Sequence, residues 1–180
     1  MIHMERVFKN ICITGAGNGI GRAIAIAMSK EGYNVVCADI DLIQANETLE
    51  IILDNNGSGI SIEMDVTKSA DIKKMIKDTV VKYGSLDILV NNAGVSMRGD
   101  FAELKPDVFN QVFNTNVIGV TNLTIPAMVH LKANKGSLIF ISSLAGIRGL
   151  PGLSAYCSSK MALRAIAESI RIEEAESGLH

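Results

Sequence analysis

The sequence predicts a doubly wound α/β fold, a parallel sheet with helices on both faces. Two observations carry that prediction. Short apolar runs rich in β-branched residues alternate with longer segments whose apolar residues recur every three and four positions. Between the first such run and the first helical segment stands a glycine-rich turn, where a strand must hand over to a helix.

The expected strands are Asn10–Thr14, Asn34–Ala38, Gly59–Met64, Leu86–Val90 and Ser137–Ser142. The expected helices are Ile20–Glu31, Ile43–Asn55, Ser69–Tyr83, Pro106–Lys132 and Ser154–Glu176. In the third of these, Ile72, Met75, Ile76, Thr79, Val80 and Tyr83 fall on one face. Pro106 suits a first helical turn, Asp41 and Ser69 can cap, and Gly32, Gly57 and Gly84 stand where helices should stop. Pro126 lies inside the fourth helix, which it should kink or end. Right-handed crossovers place any ligand at the carboxyl ends of the strands, where the strand order reverses.

A chain of 180 residues fits a single domain, 1–180, and 48% hydrophobic residues supply a core. The net charge of −2 and eight aromatic residues without a tryptophan give neither the basic surface nor the stacking platforms of a nucleic-acid binder. No apolar run is long enough to span a membrane. The amino terminus, MIHMERVFKN, carries charges where a signal peptide needs an unbroken apolar stretch. Cys12, Cys37 and Cys157 are odd in number and lie in no metal-ligand cluster, which fits a cytoplasmic setting and no metal.

The turn reads Thr14-Gly15-Ala16-Gly17-Asn18-Gly19-Ile20-Gly21, a TGxxxGxG pattern. Glycines let the backbone approach a pyrophosphate closely, and the helix that follows offers free N–H groups and a positive dipole end. Asp39, eighteen positions beyond Gly21, ends the second strand near the offset at which a carboxylate accepts adenosine ribose hydroxyls. It would repel a 2′-phosphate, and no Arg or Lys lies between Ala16 and Gly21 to receive one. NAD is therefore favoured over NADP. The alternative is that Asp39 or Asp41 only caps the next helix.

Downstream, Tyr156 and Lys160 stand at i and i+4, on one face of the last helix. A cation about 4 Å from a phenol, at an effective dielectric near 20, contributes roughly 4 kcal/mol toward the phenolate. Such a phenol can exchange a proton with an alcohol or a carbonyl. By itself a Y-x-x-x-K pair is equally a solvated helix face, so its meaning depends on its neighbours.

Taken with those neighbours, the sequence resembles the short-chain dehydrogenase/reductase family, in its TGxxxGxG and YxxxK branch. The resemblance runs across residues 14–160. Asn91-Asn92-Ala93-Gly94 matches the family's NNAG, which implies that Asn91, Ala93 and Gly94 brace the sheet and face the cofactor. Gly15, Asn18, Gly19, Ile20 and Gly21 would hold its phosphates, with Asp39 on the ribose and Asp65 and Val66 at the adenine. The resemblance further implies a Rossmann-like fold, Tyr156 as general acid/base, Lys160 lowering its pKa and binding the nicotinamide ribose, and Ser143 on the reacting oxygen. Ser143 precedes Tyr156 by thirteen residues, a spacing that prefers it to Ser142. Asn116 matches the residue whose helix kink supports a water-mediated proton path to the lysine.

The implied activity is NAD-dependent interconversion of a small alcohol and a carbonyl, in a homodimer or homotetramer paired through the fourth and last helices. Family members continue past the tyrosine-lysine helix with a sixth strand, a substrate lid and a seventh strand, and here these last strands are absent. The uncharged SLIFIS run at Ser137–Ser142 reads as a strand covered on both sides. The expectation is a piece of a longer enzyme, or an edge covered by another chain. A catalytically idle dinucleotide-binding or oligomerisation module is the second reading. A sugar epimerase or dehydratase of the extended relatives is a third, weakened by their different G-x-x-G-x-x-G turn. The substrate pocket would be lined by Ser96–Arg98 and Leu144–Leu150.

Overall fold

Side-chain alternation along β1 (Asn10–Thr14) sends Ile11 and Ile13 to one face of the sheet and Cys12 to the other, and every side chain of the strand is buried. A strand buried on both faces belongs in the middle of a parallel sheet. The computed structural model describes residues 10–180 and places it there, in the order β3-β2-β1-β4-β5 with all four pairings parallel. The amino-terminal segment read above against a signal peptide lies outside the described residues.

The other strands are β2 (Asn34–Asp39), β3 (Ser58–Glu63), β4 (Ile88–Asn91) and β5 (Ser137–Phe140). Each expected strand is present: β1 with the expected bounds, β2 one residue longer, β3 and β4 shifted, and β5 trimmed. Ser142 falls outside β5, because Ile141 makes the last bond to β4, from its N–H to the Asn91 carbonyl at 2.9 Å.

Two apolar layers sandwich the sheet. Ile11, Ile13, Val35 and Cys37 meet Ala25 of α1 (Gly19–Lys30) and Ala45 and Ile52 of α2 (Leu42–Asp54). Cys12, Val36 and Leu89 meet Ile72, Met75 and Ile76 of α3 (Ser69–Tyr83), and Leu123, Ala127 and Leu131 of α5 (Val120–Ala133). Burial raises the Cys12 thiol and pushes Cys37 up to about 12, so both stay protonated.

Helix ends bear out one expectation and correct two. Asp41 does cap α2, accepting from the Ile43 and Gln44 N–H groups at 3.0 and 3.2 Å. At α3 the cap position is Lys68, and Ser69 is already helical. At the end of α2 the left-handed residue is Asn56 (φ 60°), not Gly57, whose N–H closes the turn on the Ile52 carbonyl. Gly57 is needed for a different reason: a Cβ there would stand 1.9 Å from Ser29 Oγ.

The long fourth helix is three pieces: α4 (Pro106–Phe113), a π-helical turn Asn114–Gly119, and α5. The break in helical period therefore falls at Asn116 and not at Pro126, which α5 passes through. Pro126 removes the partner of the Asn122 carbonyl, and Asn122 is exposed, so water can take that place. The last helix, α6 (Ser154–Glu173), follows a short 3₁₀ turn at Leu144–Gly146.

On the outer side of β5 the backbone of His180 pairs with Gly136 and Leu138, at 2.9 and 2.7 Å, and Leu179 packs on the core. The expected bare edge is thus covered at its start. Farther along, Ile139 remains 41% exposed.

Candidate active site

The strand order reverses between β1 and β4, and the two motifs that follow these strands are joined there by hydrogen bonds. Thr14 Oγ1 accepts from the N–H groups of Asn92 and Ala93 at 3.0 and 2.9 Å. The Asn92 amide returns to the carbonyls of Thr14 and Gly15, at 2.8 and 3.1 Å. Thr14 and Asn92, which join the two motifs, are not among the expected site residues, although TGxxxGxG and NNAG contain them both.

Asn91, expected to face the cofactor, turns away: its amide donates to Thr124 Oγ1 of α5 at 3.1 Å. The pleat decides this, since Asn91 and Asn92 must point to opposite faces.

Gly21 must be glycine because α1 passes directly over the turn. A Cβ there would stand 2.1 Å from the Gly15 carbonyl oxygen and 2.6 Å from Asn92 Nδ2. Gly15 itself has φ +64°. Asn18, Gly19 and Ile20 are exposed at the mouth of the turn, with Asn18 as the N-cap of α1.

Asp39 closes the turn from β2. Its Oδ2 accepts the Gly17 N–H at 2.7 Å and its Oδ1 the Asp41 N–H at 3.0 Å. The helix-capping alternative thus falls to Asp41 alone. Arg22, another residue not singled out beforehand, spans from the turn to α2. Its Nε reaches the Gly17 carbonyl at 2.8 Å and Thr48 Oγ1 at 3.0 Å, and its guanidinium pairs with Glu47 at 2.8 Å.

A crevice of about 430 Å³ opens beside this turn, lined among others by Gly15, Asp39, Asp65, Val66, Ala93 and Gly94. Six of the expected cofactor residues therefore share one wall. At Asp65, burial pushes the carboxyl up, but the Thr67 hydroxyl and N–H and the Lys68 ammonium outweigh it and hold it below its ordinary value.

From the other side α6 brings in Tyr156, Ser159 and Lys160. Lys160 is 4% exposed, and its ammonium donates to the Ile141 carbonyl at 2.8 Å while lying 5.8 Å from the centre of the Tyr156 ring. The close cation-phenol approach expected from i, i+4 spacing gives way here to a carbonyl, because a buried ammonium needs an acceptor. Burial pushes its pKa below the usual lysine value.

Asn116, fully buried on the π-helical turn, connects this group to the crevice. Its Oδ1 accepts from the Val95 N–H at 2.8 Å, and its Nδ2 donates to the Val95 carbonyl at 2.9 Å and to Ser159 Oγ at 3.0 Å. A Cβ on Gly94 would come within 3.1 Å of Asn116 Oδ1 and 3.6 Å of Lys160 Nζ, which places Gly94 beside both side chains.

Ser143 caps the 3₁₀ turn, accepting from the Ala145 N–H at 3.2 Å. Together with Ser142, Ile147 and Leu163 it lines a separate crevice of about 460 Å³ on the β5 side of α6. Cys157 is buried, and its Sγ accepts from the Leu150 N–H at 3.3 Å, the contact of a packing residue. Among the described residues, no helix is long and apolar enough to cross a membrane.

Known proteins share this arrangement. The family model described as short chain dehydrogenase matches residues 9–180. An uncharacterized oxidoreductase of Listeria monocytogenes is 34% identical over 173 residues, 94% of this chain and 69% of its own. The 3-oxoacyl-acyl-carrier-protein reductase of Staphylococcus aureus is 32% identical over 179 residues, 97% of this chain and 72% of its own. A crystal structure of a 3-ketoacyl-ACP reductase from Sinorhizobium meliloti superposes with a TM-score of 0.91 at 30% identity, covering 95% of this chain and 69% of that one. Matched by that family model over nearly its whole length, and by relatives of 30% identity or more that it covers by two thirds or more, the chain belongs to the short-chain dehydrogenase family of oxidoreductases.

Proposed function

We propose that the chain interconverts an alcohol and a carbonyl with NAD as its cofactor and Tyr156 as the general acid/base. The observation that carries this reading is the placement of Lys160. Burying an ammonium costs stability even when a neutral carbonyl accepts from it, and this one is held over the Tyr156 ring and beside the Gly94 corner of the crevice. The residues present fit a dinucleotide. The turn presents glycines and the N-terminus of α1, and the crevice beyond it runs past Asp39 to Asp65 and Val66. The nicotinamide, when bound, gives or takes the hydride.

The chain's own groups manage the proton and the geometry. Tyr156 would pass its phenolic proton to the carbonyl oxygen in reduction and recover it in oxidation. Lys160 supplies the positive charge that stabilises the phenolate left behind and would hold the nicotinamide ribose. Ser143 would hydrogen-bond the reacting oxygen. Asn116 is a positioning residue, fixing the loop at Val95 against α6.

NAD is preferred to NADP because the Asp39 carboxylate lines the crevice where it would meet the adenosine ribose, while the neighbouring cation, Arg22, is already paired with Glu47. The names of the Staphylococcus and Sinorhizobium relatives make a 3-oxoacyl thioester the first carbonyl to try. Ile118, Ile125 and Val129 form an exposed apolar stripe that supports a homodimer or homotetramer, and three buried free cysteines suit the cytoplasm. The second reading, a module that binds dinucleotide without turnover, is favoured by the open apolar crevice beside Ser143.

The test follows reduced-cofactor absorbance with NADH and 3-oxoacyl thioesters, and with NAD and secondary alcohols. Wild-type turnover with a loss of about 10²–10⁴-fold in Tyr156→Phe is expected. Full activity in Tyr156→Phe would refute the mechanism, and tight NAD binding without turnover would select the second reading.

A further inference from the structure

The chain holds two Asn-Gly dipeptides, Asn18-Gly19 and Asn56-Gly57, and both asparagines are exposed. An asparagine followed by glycine can cyclise, because no Cβ hinders the next backbone nitrogen as it approaches the side-chain carbon. The two sites differ in where that nitrogen is held. At Asn56 the Gly57 N–H donates to the Ile52 carbonyl at 2.9 Å, inside the turn that ends α2, and Gly57 is wedged against Ser29. Attack there requires the end of the helix to open.

At Asn18 the Gly19 N–H donates to the residue's own Oδ1, 2.7 Å away. The backbone of Asn18 is extended (φ −152°, ψ 169°), and nothing lies within 4 Å of the place a Gly19 Cβ would occupy. The attacking nitrogen and the carbonyl it must attack are already neighbours, with room to move.

We propose that Asn18 is a site of spontaneous deamidation that switches off the glycine turn, and that bound dinucleotide protects it. The protection rests on the cofactor reading above. Hydroxide removes the Gly19 amide proton, and the nitrogen forms a bond to Asn18 Cγ. The Cγ–Nδ2 bond breaks and ammonia leaves. Water then opens the cyclic imide to an aspartyl or isoaspartyl residue at position 18, with no oxidant or reductant consumed. A carboxylate at a helix N-cap suits the helix but opposes an incoming phosphate. The fold should persist while the affinity for dinucleotide falls.

The experiment incubates the full chain at mildly alkaline pH with and without saturating NAD, then maps tryptic peptides 10–22 and 31–68 by mass spectrometry. Exchange of NH₂ for OH at Asn18 is expected to run at least about tenfold faster than at Asn56, a factor equal to about 1.4 kcal/mol of local opening, and to slow when NAD is present. Asn18→Asp should weaken NAD binding by about tenfold or more without lowering the unfolding midpoint. Equal rates at the two asparagines would overturn the proposal, as would unchanged NAD affinity in Asn18→Asp. If the untreated protein binds no NAD, the cofactor reading and the protection fall together, and the Asn18-to-Asn56 ratio alone judges the modification site.

Discussion

Replacing Asn116 by alanine removes three hydrogen bonds made by a fully buried side chain. The Val95 N–H is left without its acceptor, the Val95 carbonyl loses one donor, and Ser159 Oγ keeps only its bond to the Tyr156 carbonyl at 2.8 Å. A buried polar group stripped of its partner costs about 1–3 kcal/mol. Val95 is half-buried, so solvent recovers part of that, and the total should be about 2–4 kcal/mol. At about 2–4 °C per kcal/mol for a domain of this size, the melting temperature should fall by about 5–15 °C. Urea denaturation should show a lower midpoint at unchanged slope. Asn116→Asp keeps the acceptor for the Val95 N–H but buries a carboxylate whose other oxygen faces the Val95 carbonyl, so it should melt no higher than Asn116→Ala. A shift of under roughly 2 °C in Asn116→Ala would refute the view that this side chain ties the loop to α6.

Gly21→Ala places a methyl group 2.1 Å from the Gly15 carbonyl oxygen, and the backbone must move; a loss of about 1–3 kcal/mol is expected by calorimetry, with weaker NAD binding by titration. Asp39→Asn sets an NH₂ group against either the Gly17 or the Asp41 N–H and removes the charge opposing a 2′-phosphate. The ratio of NADP to NAD affinity should rise about tenfold or more, and an unchanged ratio would contradict the role given to Asp39. Lys160→Met should abolish turnover yet melt at the same or a higher temperature at neutral pH, since it removes a buried ammonium. Because burial lowers the Lys160 pKa, the unfolded chain binds more protons between that lowered value and the ordinary value near 10.4. Wild-type stability from this group therefore rises with pH across that window, and the advantage of Lys160→Met should narrow there, as denaturation at neutral and at alkaline pH will show.

The fold was legible where one element's own pattern decided it. Short, nearly continuous apolar runs marked β1 and β2, and strands apolar on both faces belong in a parallel sheet covered on both sides. Boundaries were less legible, because the last residue of a strand is set by its neighbour: β5 ends where Asn91 of β4 stops accepting, and nothing in SLIFIS says so. The π-helical turn at Asn114–Gly119 was invisible to periodicity, since one wide turn barely displaces a hydrophobic stripe. Pro126, the one overt helix breaker, pointed to the wrong place.

The site divides in the same way. Residues whose role is carried by the backbone, such as Gly15 and Gly21, could be found from the glycine pattern, because a side chain there meets a left-handed backbone or a carbonyl oxygen. Residues whose role depends on a partner far along the chain could not. Asn91 and Asn92 are identical neighbours, and only the pleat of β4 decides that Asn92 reaches Thr14 and Gly15 while Asn91 reaches Thr124. Arg22 is an ordinary helix arginine until α2 brings Thr48 and Glu47 to it. The tyrosine-lysine pair shows the limit most plainly. Sequence spacing placed the two on one helix face, but the ammonium is bound to the carbonyl of Ile141, nineteen residues earlier and just past the end of β5. Its charge therefore reaches Tyr156 across the ring, and its position depends on how β5 ends as much as on the helix that carries it.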